Sequence, residues 1–209
     1  MSAVSRPPSL SPRRREKTRA RLLEAARDVF AEKGVKRVTV DELVGAAGFT
    51  RGAFYSNFSS IEEVFFAVFE DQAEQMLAAV RAAIESVPAG EFSLDSIGVI
   101  LESLHPFGRQ WYLIHTEFVL LALRNNEARQ VLADHSTRLR SELVEVIGDV
   151  LGRLEREPII PLDQVTETAV ALYMHSIAQE HLGEQTLGPD ELLGSVLPGV
   201  VLGLSEPHG

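Results

Sequence analysis

The chain has 209 residues, of which 45% are hydrophobic and 24% charged, a balance typical of a globular protein with a sizeable core. It contains no cysteine, which excludes disulfides, a cysteine-ligated metal and a thiol nucleophile. No apolar stretch approaches the roughly 18 to 20 residues of a membrane span, and none follows the N-terminal arginines as in a signal peptide. We therefore expect a soluble, cytoplasmic protein with no membrane partner.

The net charge of −10 conceals opposite charges in the two parts of the chain. Residues 1–60 carry 12 Lys and Arg against 6 Asp and Glu, whereas residues 61–209 carry 8 basic and 24 acidic residues. A basic end on an acidic chain favours contact of that end with a polyanion. The alternative to contact with a polyanion is a solvated basic arm without any partner, which gives the same distribution of charge.

An arm and a first helix are predicted at the N-terminus. Ser and Pro are frequent over residues 2–12, so residues 1–13 are expected to form a flexible basic arm. The first helix has an apolar face at helical spacing that includes Leu22 and Phe30, and Gly34 suits its C-terminal cap.

Two short helices follow, joined by a tight turn. Thr39 is a favoured N-cap, and Glu42 three residues later completes the pattern of a capping box. Gly48 can adopt positive φ in the turn, and Thr50 caps a third helix that ends near Phe58. Two short helices joined by a glycine-containing turn are typical of a helix-turn-helix, which places its second helix in the major groove of DNA.

Six longer helices are predicted for the remainder, because apolar residues repeat at helical spacing between clusters of Pro, Gly and Asn. The predicted ranges are 61–87, 93–104, 109–124, 127–156, 163–181 and 189–204. No segment alternates with a period of two for long enough to demand a strand. The sequence thus predicts an all-α fold of about nine helices. A three-helix DNA-binding domain would occupy residues 14–60 and a larger helical domain residues 61–209.

The third helix has two different faces. Phe54 and Phe58 are four residues apart and should point into the core of the small domain. Four residues then fall on the exposed side: Arg51, Gly52, Tyr55 and Ser56. An arginine can bind a guanine edge at two points, glycine permits close approach of the backbone, and hydroxyl groups can reach phosphates.

Three segments of this region are FAEKG at 30–34, VTVDEL at 38–43 and AAGFTRGAFYSNF at 46–58, and together they resemble the DNA-binding domain of the TetR family of repressors. The resemblance implies a three-helix DNA-binding domain attached to a helical domain that binds a ligand and dimerises. Arg51 and Gly52 would be the leading base readers. The DNA contacts it implies are Thr39, Thr50, Arg51, Gly52, Tyr55, Ser56 and Asn57.

The sequence departs from the family pattern at the start of the fourth helix. Where the family commonly carries Phe-x-Ser-Lys-Glu-Glu-Leu, this chain reads FSSIEEV at 58–64, so Ile61 replaces a lysine that faces phosphate. The N–H groups of the helix N-terminus still favour a phosphate. Basic residues near the arm, including Arg14 and Lys17, are expected to compensate at the DNA backbone or in the minor groove.

Nothing beyond residue 61 indicates an enzyme. The six histidines form no His-Glu-x-x-His motif, and no glycine-rich loop fits a nucleotide phosphate. We therefore expect no metal and no cofactor. An all-helical enzyme with a vestigial DNA-binding domain is the remote alternative.

The predicted sixth helix concentrates aromatic residues on one face, which suits either plain core or a ligand pocket between helices. The candidate ligand-binding residues are Trp111, His115, Phe118, Tyr173, Met174 and Phe69. The resemblance favours the pocket, and we therefore expect a small-molecule effector. A regulator that needs no ligand, or one tuned by a partner protein, is the alternative.

The last two predicted helices carry apolar faces, and too little chain follows to cover the final one. By the resemblance they pair with the same helices of a second subunit, through residues such as Ile177, Leu192, Val196 and Val200. A two-fold homodimer implies a pseudo-palindromic double-stranded operator. The expected function is therefore that of a repressor that a small molecule releases from DNA.

Deletion of residues 1–13 is predicted to weaken the salt dependence of DNA binding, because fewer phosphate counterions would be released. The measurement is the affinity for one duplex at several salt concentrations, compared with that of the full chain. An unchanged slope of log affinity against log salt concentration would show that the arm does not contact DNA.

Overall fold

A computed structural model describes residues 12–88, 90–183 and 192–208. These ranges contain nine α-helices and two short strands, which confirms the predicted all-α fold. The helices are α1 Pro12–Lys33, α2 Val40–Ala47, α3 Arg51–Tyr55, α4 Ile61–Ser86, α5 Leu94–Leu104, α6 Gly108–Arg124, α7 Asn126–Arg153, α8 Leu162–Leu182 and α9 Leu197–Gly203. The strands are β1 Arg156–Pro158 and β2 Ser205–Pro207. A search of the described helices finds none that could span a membrane.

The chain divides into two compact units, Met1–Val68 and Phe69–Gly209. The boundary falls inside α4, whereas the sequence placed it at the start of that helix. The helix α1 begins at Pro12, so the predicted flexible arm is already helical at its last two positions. Residues 1–11 of that arm lie outside the described residues.

Aromatic side chains form the core of the first unit. Phe30 of α1 meets Phe65 of α4 edge to face, with ring centroids 5.2 Å apart, and both rings are buried. Phe54 and Phe58 are also buried, as their spacing predicted, and their ring centroids lie 6.0 Å apart. Burial of side chains of this size stabilises the unit by roughly 1.5 to 3 kcal/mol for each ring.

Hydrogen bonds at Thr39 fix the start of α2. The Thr39 hydroxyl accepts the Glu42 N–H at 3.3 Å, and the Glu42 carboxylate accepts the Thr39 N–H at 2.8 Å, so the predicted capping box is confirmed. Lys33 Nζ lies 2.8 Å from the other Glu42 oxygen. The bond from Lys33, followed by those from Thr39, lowers the pKa of Glu42 to about 2.

The turn between α2 and α3 also follows from local chemistry. Gly48 ends α2 with φ at 70°, in the left-handed region that favours glycine. Thr50 then caps α3 by accepting the Ala53 N–H at 3.3 Å. The helix α3 ends at Tyr55, earlier than the predicted end near Phe58.

The second unit contains α4 from Phe69 onwards and all later elements. Its interior holds two clusters of buried apolar side chains contributed by α4, α5, α7 and α9. The first cluster is Val80, Ile84, Ile100, Val146 and Val150. The second cluster is Ile97, Leu151 and Val201.

The strands β1 and β2 pair antiparallel, which the sequence did not predict. Arg156 stands opposite Pro207, and Pro158 opposite Ser205. The Arg156 guanidinium donates to the Ser205 hydroxyl at 2.7 Å and to the carbonyls of Ser205 and Leu202. Because Arg156 takes part in this pairing, α7 ends at Arg153 instead of continuing to Arg156 as predicted.

The last helix differs from the prediction for 189–204. Residues 189–191 lie outside the described ranges, and a π-helical turn at Leu192–Val196 precedes α9. Pro198 stands in the first turn of α9, directly after this π-helical turn.

Candidate nucleic-acid interface

The helices α2 and α3 form a helix-turn-helix, and the burial of Phe54 decides which side of α3 faces outward. Phe54 is fully buried, whereas Arg51, Gly52, Tyr55 and Ser56 are exposed. The N-terminal turn of α3 therefore carries an exposed arginine and a glycine. In a helix-turn-helix, the N-terminal residues of the second helix contact base edges.

Two arginines of α1 hold the helix-turn-helix in place. Arg21 donates to the Ala47 carbonyl at 3.4 Å, and its guanidinium lies 5.1 Å from the centre of the Phe49 ring. The guanidinium of Arg19 lies 5.2 Å from the centre of the Phe58 ring, just after α3. Cation–π contacts at exposed sites contribute about 0.5 to 1 kcal/mol each. They fix the turn and the end of the recognition helix.

The predicted base reader Arg51 is bound to a carboxylate on the neighbouring helix. Its Nε and Nη2 lie 2.5 and 2.6 Å from the two oxygens of Asp41. Both side chains remain largely exposed, at 64% and 65%. The bonds to Asp41 raise the pKa of Arg51 above its usual range, so the guanidinium stays charged. Sequence reasoning missed Asp41, because no local pattern joins residues ten positions apart on two helices.

Two hydroxyl groups that were predicted to bind phosphate are bonded within the protein. Thr39 Oγ1 donates to Glu42 Oε2 at 2.9 Å, and Ser56 Oγ donates to the Gly52 carbonyl at 2.7 Å. A hydroxyl has a single proton. Thr39 and Ser56 must therefore give up these bonds before they can donate to a phosphate.

Tyr55 and Thr50 are better placed to donate to a phosphate. Tyr55 is 61% exposed, and its ring rests edge-on against Phe54 with centroids 5.2 Å apart. The Thr50 hydroxyl accepts a bond at the helix cap and so keeps its own proton for another acceptor. Asn57, by contrast, is half-buried and donates to the Ala53 carbonyl at 2.8 Å.

Side chains of the protein accept hydrogen bonds from backbone N–H groups at the start of α4. The Ser60 hydroxyl accepts the Glu63 N–H at 3.0 Å, and Ser59 donates to the Glu63 carboxylate through both its N–H and its hydroxyl, each at 2.6 Å. The bonds from Ser59 lower the pKa of Glu63. Ile61 is half-buried beside them. The start of α4 therefore carries the Glu63 carboxylate, and the apolar Ile61 stands at the position where the family pattern has a lysine.

The other predicted cations lie on α1. Arg14 and Lys17 are both exposed, as are the neighbouring Arg13 and Arg15. The N-terminal end of α1 thus presents a basic surface, which is the electrostatic requirement for contact with phosphates.

The second unit contains an apolar cavity lined by residues of all its helices, α4 to α9. It has a volume of about 160 Å³ and is partly open to solvent. Three predicted ligand residues, Trp111, Tyr173 and Met174, line it. The Tyr173 hydroxyl lies 3.5 Å from the Leu104 carbonyl, and burial raises its pKa, so it remains a neutral donor.

Three other predicted ligand residues lie in an aromatic cluster instead of along this cavity. Phe69 stacks on Trp111 with centroids 4.8 Å apart and meets Phe118 edge to face at 4.9 Å. The His115 ring lies 6.3 Å from that of Phe69, and burial lowers the pKa of His115. Phe69, His115 and Phe118 therefore do not line this cavity, and their assignment to a ligand site stays a prediction. Among the described residues, no three His, Asp or Glu side chains gather closely enough to hold a metal ion.

The predicted dimer residues differ in accessibility. Ile177 is only 4% exposed and packs beside Gly108 of the same chain, so it drops out of the predicted interface. Val196 and Val200 are half-buried. Leu192 lies in the π-helical turn before α9.

Residues 22–68 match the profile of the family described as bacterial regulatory proteins, tetR family. Over a longer span, the chain is 26% identical across 160 residues to the uncharacterized HTH-type transcriptional regulator YfiR of Bacillus subtilis. That alignment covers 77% of this chain and 78% of the relative. The match includes all of α2 and α3, so the helix-turn-helix predicted from the sequence is confirmed.

Solved structures share the fold of the whole chain. GusR of Salmonella enterica superposes with a TM-score of 0.68 at 20% identity, covering 93% of this chain and 97% of that one. A Saccharomonospora viridis protein solved in complex with choline has a TM-score of 0.70 at 14% identity, covering 91% and 99%. At these identities the likeness shows the fold alone.

Tyr55→Phe is predicted to weaken binding to all duplexes by a similar factor, about two- to tenfold, because one hydrogen bond to phosphate is lost while the ring stays on Phe54. Fluorescence anisotropy with a selected duplex and a random duplex measures both affinities. Tyr112→Phe in the second unit is the control. A loss confined to the selected duplex would mean that Tyr55 contacts bases.

Proposed function

We propose that this chain is a transcriptional regulator of the TetR family, a homodimeric repressor that binds a pseudo-palindromic operator and leaves it when an apolar small molecule binds. The exposed N-terminal turn of α3, with Arg51 and Gly52 outward and Phe54 buried, is the observation that carries the DNA-binding part. A repressor of this kind acts by occupying its operator, so the bound fraction of DNA sets the level of transcription.

The cavity of the second unit supports a ligand that is uncharged. Its described lining residues are all hydrophobic or aromatic, and the Tyr173 hydroxyl and the Trp111 N–H are their polar side-chain groups. An ion that leaves water for such surroundings loses several kcal/mol without a partner. A neutral molecule with at most one or two hydrogen-bonding groups avoids that cost. The cavity volume of about 160 Å³ suits a small ligand.

The choline bound by the Saccharomonospora viridis protein gives a useful contrast. It supports a small-molecule ligand for a protein of this fold. Choline is a permanent cation, and quaternary ammonium groups are held by aromatic rings. In this chain Trp111 and Tyr173 are the aromatic residues among the described lining, and the rest is aliphatic or thioether. The composition favours a neutral ligand over a cationic one.

Release from DNA requires that the ligand bind the two conformations of the protein unequally. A ligand that binds the DNA-free conformation more tightly shifts the population towards it. By linkage, the operator then weakens the affinity for the ligand by the same factor. Equal ligand affinity with and without the operator would reject this regulation while leaving DNA binding intact.

The charge selectivity of the cavity can be tested with two closely related dyes. N-phenyl-1-naphthylamine is neutral, and 8-anilinonaphthalene-1-sulfonate is its sulfonated analogue. The neutral dye is predicted to bind at least about tenfold more tightly, because the sulfonate would lose its hydration. Fluorescence titration measures both affinities, and choline at excess should not displace the neutral dye.

Matched variants locate the dye. Ala169→Phe fills part of the cavity and should weaken binding of the neutral dye, whereas Ala78→Phe, on the exposed side of α4, should not. Equal affinity for both dyes would refute the neutral-ligand proposal. Addition of the neutral dye should also lower the affinity for the operator, and an unchanged affinity would reject release by ligands of this class.

The dimer proposal rests on apolar residues of α8 and α9. Val170 of α8 and Leu202 of α9 are exposed, and Val200 of α9 and Val196 of the turn before it are half-buried. Two copies that bury these faces form an isologous contact, whose symmetry matches a two-fold operator.

Val200→Asp is predicted to shift the protein towards a monomer and to weaken operator binding without altering the helix-turn-helix, because a buried charge at an interface lacks a partner. Sedimentation velocity gives the oligomeric state. Leu123→Asp, at a residue of α6 that is 67% exposed, is the matched control. A wild-type monomer that binds its operator tightly would contradict the proposal.

A further inference from the structure

The ion pair between Asp41 and Arg51 joins the first turns of α2 and α3. Arg51 Nε and Nη2 donate to Asp41 Oδ1 and Oδ2 at 2.5 and 2.6 Å. Both residues stand on the outer side of the helix-turn-helix, and each side chain is about two thirds exposed. The carboxylate therefore holds the guanidinium by one edge at the surface that faces DNA in the proposed function.

A guanidinium has five N–H donors arranged around a rigid plane. The Nε–Nη2 edge gives two of them to Asp41. Three donors remain, two on Nη1 and one on Nη2. One hydrogen of Nη1 and the remaining hydrogen of Nη2 point in the same direction along the outer edge. This outer edge has the two parallel donors that bind guanine O6 and N7.

We propose that Asp41 is a positioning residue for base recognition: it holds Arg51 by one edge so that the outer edge reads a guanine in the major groove. The inference rests on the proposed DNA binding and assigns sequence specificity to a residue outside the recognition helix. Asp41 contacts no base in this arrangement and acts through Arg51.

Two physical effects follow from the pair. An unrestrained arginine side chain loses rotamer entropy when it is fixed on a base, and a side chain already held by Asp41 loses less. The carboxylate also repels phosphate oxygens and occupies the donors nearest to it, so Arg51 is less readily drawn to the DNA backbone at random sites. Both effects increase discrimination between an operator and other DNA.

The pair has little part in holding the fold together. It is exposed, and ion pairs in that setting add little to stability. The N-terminal starts of α2 and α3 are fixed separately, because Thr39 and Thr50 cap them. A substitution at Asp41 is therefore expected to change sequence preference without unfolding the first unit.

The test is selection of bound sequences from a pool of random duplexes by the full-length protein, followed by anisotropy on the enriched duplex and on duplexes with each base replaced. The variants are Arg51→Ala, Asp41→Asn, Asp41→Ala and the double variant Asp41→Asn with Arg51→Ala. Glu62→Gln, at an exposed acid in the first turn of α4, removes the same charge from the same unit and serves as the control.

The wild type is expected to prefer a guanine at one position of each half-site. Arg51→Ala should abolish that preference, and both Asp41 variants should reduce it by about five- to tenfold while binding to random duplex becomes tighter. The double variant should discriminate no better than Arg51→Ala alone. Glu62→Gln should keep the guanine preference. Thermal unfolding midpoints of all variants should stay close to that of the wild type.

Retention of the full guanine preference by Asp41→Asn and Asp41→Ala would overturn the positioning role. So would tighter operator binding with an unchanged preference, since Asp41 would then be a competitor for Arg51. If the wild type enriches a sequence but Arg51→Ala keeps the guanine, the base reader itself is misassigned. A wild type that enriches no sequence overturns the proposed function, and the inference with it.

Discussion

Burial of Phe54 is the constraint on which the DNA-binding surface depends. Because α3 has only five residues, a single fully buried side chain fixes the rotation of the whole helix. Phe58 continues that anchor, and Arg19 lies over its ring. Once Phe54 points inward, Gly52 and Ser56 lie on the opposite side of the helix, and Arg51 and Tyr55 lie on its exposed flank. The chemistry of the surface is thus set by packing beneath it.

Capping competes with DNA contact for the same hydroxyl groups. Thr39 both accepts and donates within its capping box, and Ser56 bonds back to α3. These bonds keep the short helices in shape before any DNA is present, because a helix of five or eight residues is not stable by itself. The hydrogen-bond donors of the helix-turn-helix that stay available to DNA are then those of Thr50, Tyr55 and the outer edge of Arg51. Base and backbone recognition therefore fall on fewer residues than the family pattern implies.

Local chemistry made part of this structure predictable. The capping box at Thr39, the left-handed Gly48 and the cap at Thr50 each depend on residues within three or four positions, so the sequence displays them directly. Contacts between distant residues could not be predicted in this way. Three features depend on tertiary packing: the bond that Arg51 donates to Asp41, the pairing of Arg156 with the C-terminal strand, and the burial of Ile177. The same limit explains why periodicity could not separate the aromatic core around Phe69 from the cavity beside Trp111.

The apolar cavity has a consequence for how the second unit responds to a ligand. Side chains that line an unfilled space lack van der Waals partners on one side, so the empty cavity lowers the stability of the unit around it. A neutral ligand restores those contacts and stabilises the conformation that holds it, in proportion to how far its concentration exceeds its dissociation constant. A charged ligand would gain the same contacts but lose its hydration without a described partner in the lining. In the proposed function, stability, ligand class and regulation depend on the same set of side chains, and a substitution that fills the cavity should stabilise the unit while making it insensitive to the ligand.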